Sequence, residues 1–150
     1  MGNDKSLNGG AIKLLLAYVY ADGDSSATLI DPATAGALPQ GYTVYNGIAY
    51  DISTEASISG PHIVTFNIPT ITDPAIFNKL RILHGEEGVL VDRTILSPDN
   101  LGPDFAAKTI SARVDSLSPF VIALVGENTD TTAPVITAPT NINVAIAVFK

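Results

Sequence analysis

The sequence predicts an all-β fold: an antiparallel β-sandwich, Ig-like or jelly-roll-like, with about eight to nine strands and at most one short helical turn. Three observations carry this expectation. The chain holds 14 Thr, 16 Ile and 11 Val, 41 of its 150 residues. Such β-branched side chains are stiff at Cβ and fit a pleated sheet better than a helix. Apolar residues make up 46% and charged residues 15%, enough for a core but too few charges for the exposed faces of a helical bundle. Short alternating runs are separated by turn residues, with 12 Gly and 10 Pro in the chain.

Each run has its own logic. Residues 1–10 are polar and glycine-rich and read as a flexible lead-in to a β-sandwich domain over 11–126. Ala11 to Tyr20 reads as one strand with Ile12, Leu14, Leu16, Tyr18 and Tyr20 on one face. A strand is preferred over a signal-peptide core here, because Asp4 and Lys13 interrupt the charge and apolar patterns and no small-x-small cleavage site follows. Asp22 to Ser26 is turn chemistry, and Pro32, Gly36 and Pro39 mark a loop. Thr43 to Tyr45 is a short strand. Tyr50 to Ile58 and His62 to Ile68 alternate, with Ser59-Gly60-Pro61 as the turn between them. Asp73 caps a single helical turn opened by Pro74. Leu80, Ile82 and His84 share a strand face, and Gly85 to Gly88 is a hairpin loop returning into Val89 to Thr94. After a turn-rich loop, Lys108 to Val114 alternates, and Ser118-Pro119 opens the strand Phe120 to Val125.

The composition shifts after Gly126. Residues 127–140 read as a Thr/Pro linker and 141–150 as a terminal β-strand. Ile142, Val144, Ile146 and Val148 line one face of it. A lone strand cannot bury its own apolar face. Three fates stay open: the first strand of a truncated next repeat, a strand of this domain's own sheet, or a donor strand for a neighbouring copy. The strand 11–20 is equally apolar and is an alternative donor.

Two stretches resemble a β-sandwich module of bacterial secreted and cell-surface multi-domain proteins. They are Gly41 to Ile68, with its Tyr50-Asp51-Ile52-Ser53-Thr54 run, and Leu80 to Thr94 taken with Ile110 to Phe120 and its Ser116-Leu117-Ser118-Pro119 run. Together they cover about residues 40–125. From Asp130, the run Asp-Thr-Thr-Ala-Pro-Val-Ile-Thr followed by Pro139 to Val144 is similar to the first strand of a hyalin-type or Ig-like repeat. The resemblance implies an extracellular location and a modular, non-catalytic role. It brings no catalytic or ligand residues.

The chemistry is sparse. Eight basic against 15 acidic residues give a net charge of −7, without the basic face that phosphate binding needs. No nucleic acid is expected as a partner. No run reaches the length of a membrane span. The absence of Cys removes thiolate nucleophiles and Cys-based metal sites. His62 and His84 read as strand-end residues, and Glu86-Glu87 as neighbours on a loop that point apart. Tyr42, Tyr45 and Tyr50 read as sheet packing with wet hydroxyls. Ser116 and Ser118 are expected to bond local backbone around Pro119.

No fixed cofactor is expected. A calcium site using Asp22, Asp24 and Asp31 is the one metal hypothesis. Asp22, Asp24 and Ser26 start like an EF-hand loop, but Ala27 and Ala33 break it. Asp99, Asn100 and Asp104 form a second polar loop of the same kind.

The function expected is a non-catalytic extracellular structural module, self-assembling through strand 141–149 or 11–20. Its partners would be other copies or neighbouring Ig-like repeats. The alternative is a binding or adhesion module that recognises a glycan or protein through its loops.

Overall fold

The computed structural model describes residues 4–96 and 102–126. In chain order its strands are β1 (Asp4–Leu7), β2 (Ile12–Leu15), β3 (Tyr18–Ala21), β4 (Ser25–Leu29), β5 (Tyr42–Thr54), β6 (Ser57–Ser59), β7 (His62–Asn67), β8 (Leu80–Glu86), β9 (Val89–Asp92), β10 (Thr109–Val114) and β11 (Phe120–Val125). One α-helical turn, α1 (Pro74–Phe77), precedes β8. A front sheet runs β1-β2-β7-β10 and a back sheet β4-β5-β11-β8-β9, while β3 and β6 form a two-stranded ribbon. The pairings between strands are antiparallel. The all-β sandwich that the sequence predicts is the observed architecture.

Alternation explains which side chains meet. Ile12, Leu14, Val64, Phe66, Ile110, Ala112 and Val114 face inward from the front sheet. Ile52, Leu80, Ile82, Phe120 and Ile122 meet them from the back. Phe66 lies at the centre, with ring centroids 5.9 Å from Tyr50 and 6.0 Å from Phe120.

The run Phe120-Val121-Ile122-Ala123 is buried at every residue, the mark of a strand covered on both faces. Phe120 and Ile122 face the front sheet. Val121 and Ala123 face outward with Ala49, Leu83 and Leu90, under a cover formed by Ile30 and Ala35. That cover is the loop between β4 and β5, which carries a 3₁₀ turn at Pro32–Thr34 capped by Asp31. It passes so close to β8 that a Cβ on Gly85 would sit 2.6 Å from the Ala35 carbonyl oxygen and 2.7 Å from Pro119 Cγ.

Four local expectations are revised. Residues 4–7 are not a loose lead-in: they pair with β2 from Asp4↔Leu15 to Leu7↔Ile12, and Leu7 enters the core. The strand expected over 11–20 breaks at Leu16-Ala17. Ile12, Leu14 and Leu16 are buried, but Tyr18 and Tyr20 are 60% and 71% exposed on β3. The cause is a change of partner, from β7 to β6. Thr43–Tyr45 and the run from Tyr50 belong to one long strand, β5. Asn46 (φ 55°) and Gly47 (φ 67°) bulge out there, so the partners of β11 jump from Ala49 to Val44. Conversely, residues 55–58 leave β5, and Ser57–Ser59 pairs with β3. The strand total rises above nine through these splits and additions.

The Asp73 cap is as expected: its Oδ1 accepts from the Ala75 N–H at 2.9 Å. The β8–β9 hairpin turns through Glu87 (φ 55°) and Gly88 (φ 85°), a two-residue turn with positive φ at both positions. Residues 127–140 and the terminal strand 141–150, with Ile142, Val144, Ile146 and Val148, lie outside the described residues.

Gly85→Ala should lower stability by about 1–3 kcal/mol, because the methyl meets backbone and a proline ring rather than a flexible side-chain tip. Urea unfolding followed by tyrosine fluorescence is the check. A variant as stable as the parent would mean that the β4–β5 loop does not press on β8.

Candidate functional site

The expected calcium ligands are not assembled. Asp22 Oδ1 takes Lys5 Nζ at 2.8 Å and the Gly23 N–H at 3.1 Å. Asp31 caps the 3₁₀ turn through the Ala33 N–H at 3.0 Å. Among the described residues no three His, Asp or Glu side chains converge in a group able to hold a metal. Of the second polar loop, Asp99 and Asn100 lie outside the described residues. Asp104 is used locally: its Oδ1 accepts from the Ala107 N–H at 3.0 Å.

The histidines are both buried and have different partners. His62 opens β7, where its Nδ1 accepts the Ala17 N–H at 3.3 Å, at the junction between β2 and β3. Accepting there requires the neutral ring with its proton on Nε2. Burial pushes the His62 imidazole below its ordinary value, and Asp115 works in the opposite direction. His84, on the inward face of β8, places Nδ1 2.8 Å from Glu86 Oε2. Its ring packs 5.0 Å from that of Phe120.

Glu86 is the hub of this end of the sandwich. Arg93 clamps it with both arms of the guanidinium, Nε to Oε2 at 2.8 Å and Nη2 to Oε1 at 2.7 Å. Bidentate, charge-assisted bonds of this kind are strong and directional. The Arg93 and His84 hydrogen bonds hold the Glu86 carboxyl down at about 2. Glu86 and Glu87 do part company, as expected, but Glu86 is no solvated loop residue. The hairpin register pairs His84 with Val91, which leaves Arg93 diagonal to His84.

Around this trio lies a cleft of about 580 Å³, open between the ends of the two sheets. Its walls come from His84 to Glu87 and Arg93 on one side, and from Pro61 and Arg113 to Ser116 on the other. Beside it, Ser118 reaches a distant strand rather than local backbone. Its Oγ accepts the Ile52 N–H at 3.1 Å and donates to Asp51.

The sheet edges are the second feature. At β10 the front sheet is closed by residues 93–95: Arg113 N–H donates to the Arg93 carbonyl, and Ile95 N–H to the Ser111 carbonyl. At β9 the back sheet is closed by Ala37, whose carbonyl accepts the Leu90 N–H at 3.0 Å. On the opposite side, no strand pairs with the outer edges of β1 or β4 among the described residues.

These two edges differ. Strand β1 carries Asp4 and Lys5, charges that discourage edge pairing. Strand β4, Ser-Ser-Ala-Thr-Leu, has neither charge nor proline. Asp24 and Ile30 bond toward β5, through Glu55 N–H to the Asp24 carbonyl and Ile30 N–H to the Ala49 carbonyl. Antiparallel alternation then turns the backbone groups of Ser25, Ala27 and Leu29 outward. The outward Ala27 carbonyl meets Asn8 Nδ2 at 3.4 Å. Leu29 is 65% exposed.

The tyrosines of β5 pack against the sheets as expected, but two of their hydroxyls bond protein side chains rather than only water. Tyr42 Oη donates to Asp92 at 2.7 Å, and Tyr45 Oη lies 2.7 Å from Thr70 Oγ1. Among the described residues no helix is long and apolar enough to cross a membrane. The chain matches no protein-family model, no curated protein and no solved structure.

The linkage signs differ from an unperturbed chain in two windows. Glu86 is depressed in the folded state, so its stabilisation is complete above its ordinary value of 4.5 and is lost as pH falls toward about 2. Glu86→Gln should cost about 1 kcal/mol at neutral pH and reduce the fall in stability across that window. An unchanged acid limb in urea titrations would contradict the clamp. His62 is also depressed, so its contribution is present above 6.5 and lost as pH falls below that value. His62→Gln keeps an acceptor for Ala17 and should flatten the stability profile just below pH 6.5. An equally steep profile in the variant would contradict a buried neutral His62.

Proposed function

We propose that the protein is a non-catalytic structural module of an extracellular or cell-surface assembly, built by adding a strand from another copy to the outer edge of β4. The observation that carries this reading is the asymmetry of the edges. The chain closes β9 and β10 with its own backbone and leaves the uncharged edge of β4 unpaired among the described residues. Outward N–H and C=O groups at alternate residues are the template that β-augmentation uses.

The donor in this reading is strand 141–149, whose four β-branched residues alternate as an added strand requires. The other candidate, 11–20, is already engaged within its own chain. Strand β2 is hydrogen-bonded on both sides, between β1 and β7. Ile12, Leu14 and Leu16 are already in the core. Addition of one copy to the next in a head-to-tail sense does not close on itself and gives filaments. The resemblance of residues 40–125 to modules of bacterial secreted proteins supports the extracellular setting.

The test uses proline. The Ala27 N–H points outward, so Ala27→Pro removes a donor from the edge without removing one from the β4–β5 ladder. Light scattering and negative-stain imaging should show oligomers or filaments for the full chain. Chains carrying Ala27→Pro, or ending at Asn128, should be folded monomers. Assembly that persists in both variants, or a full chain that stays monomeric at high concentration, would overturn the proposal.

A further inference from the structure

Residues 12–29 run antiparallel to residues 50–66 through all three sheets. They pair first as β2 and β7 in the front sheet, down to Leu15↔Ile63. They pair again as the ribbon of β3 and β6, from Tyr18↔Ser59 to Ala21↔Ser57. They pair a third time as β4 and β5 in the back sheet, from Ser25↔Thr54. The ribbon is therefore a two-stranded bridge between the main sheets. Its back-sheet end is closed by backbone, with the Glu55 N–H donating to the Asp24 carbonyl at 2.8 Å. Its front-sheet end is closed by a side chain. There His62 Nδ1 accepts the Ala17 N–H at 3.3 Å, between the Leu15↔Ile63 and Tyr18↔Ser59 pairs.

The ribbon itself is thin. Strand β3 has four residues and β6 has three, and a two-stranded pair is marginal on its own. Val19 and Ile58 pack against the main core, partly buried. Tyr18 and Tyr20 are exposed. A short ladder with little burial opens locally before the core does. One bond at its end carries more weight than the same bond between two core strands.

That bond is conditional on a proton. His62 is 1% exposed. Its ring accepts the Ala17 N–H only while Nδ1 is bare. A proton on Nδ1 sets two donors against each other and places a charge at a buried position, and both effects favour opening. Two charged groups line the cleft beside the ring, Asp51 and Asp115. Asp51 accepts from the Ser118 hydroxyl. Asp115 favours the charged ring, but burial outweighs it and holds the imidazole below its ordinary value. On β10, Val114 lies opposite His62 and faces the core, so Arg113 points to the other side of the sheet. Leu16-Ala17 and Ser59-Gly60-Pro61, which flank the ring, carry no titratable side chain.

We propose that His62 is an acid-operated latch for the β3–β6 ribbon: protonation of its ring releases Ala17 and lets the ribbon open while the two main sheets stay folded. Opening uncovers the end of the core beneath Val19 and Ile58. The latch goes beyond the assembly reading and stands without it, since neither the outer edge of β4 nor residues 141–149 take part.

The test is residue-resolved amide exchange of the dilute full chain between about pH 7.5 and about pH 5, with each rate divided by the intrinsic rate at that pH. Below 6.5, the ordinary histidine value, each unit of pH favours the open ribbon by up to about tenfold. Protection of the Ala17 amide and of the ribbon amides should fall by roughly tenfold at the acid end. It should respond to low urea far less than protection in β11, the mark of a local opening. In His62→Gln, which keeps an acceptor but does not titrate, the acid loss should vanish. The parent chain gives a check that needs no variant: ring nitrogen shifts at neutral pH should show a bare Nδ1 and a protonated Nε2. The latch is overturned by ribbon protection that does not fall, by an equal fall in His62→Gln, by ribbon amides as sensitive to urea as those of β11, or by a proton on Nδ1 at neutral pH.

Discussion

The double coverage of β11 is the constraint from which the rest of the structure follows. Phe120 and Ile122 require a sheet in front, and Val121 and Ala123 require a cover behind. The front sheet satisfies the first pair. The β4–β5 loop satisfies the second, and to do so it must cross the back of β8 and β9. In crossing, it places Ala37 against β9 and closes that edge. The segment after β9 then passes from back sheet to front and closes β10 through residues 93–95. Both closures fall on one side of the sandwich. On the other side no strand pairs with the outer edges of β1 or β4 among the described residues, and Asn8, just beyond β1, bonds the outward Ala27 carbonyl.

The same crossing builds the cleft. Arg93 is the first residue of the segment that bridges the sheets, and it leaves the β9 edge within reach of Glu86. The carboxylate is thereby fixed between a guanidinium and the buried imidazole of His84. A closed edge and a preorganised polar site are two results of one backbone path.

Most of the fold is legible because period-two alternation carries direct information about which face is buried. His62-Val64-Phe66, Leu80-Ile82-His84 and Ile110-Ala112-Val114 all face inward as the pattern requires. Alternation does not report a change of partner. Ile12 to Tyr20 keeps its period across Ala17, while the chain leaves one sheet and enters a ribbon. Nor does polarity report pairing: Asp4–Leu7 forms a strand because Leu7 anchors it and β2 offers an edge. The Asn46-Gly47 pair is a strong turn signal, and here it makes a bulge because the strands on both sides keep the same partner. The site was less legible than the fold. His84 and Glu86 stand two residues apart on one strand, a visible signal, but Arg93 joins them only through the hairpin register. The cleft also needs Pro61 and Asp115, which no local spacing links to β8. Nor does sequence spacing report convergence: Asp22 is held by Lys5 and Asp31 caps a turn, and Asp22, Asp24 and Asp31 form no cluster among the described residues.

Amide hydrogen exchange across a range of protein concentrations tests the open edge most directly. The outward N–H groups of Ser25, Ala27 and Leu29 should exchange fast in dilute solution and become protected as the chain assembles, while the inward groups of β4 stay protected throughout. Assembly with these three amides still exchanging fast, or with new protection confined to other strands, would contradict the account.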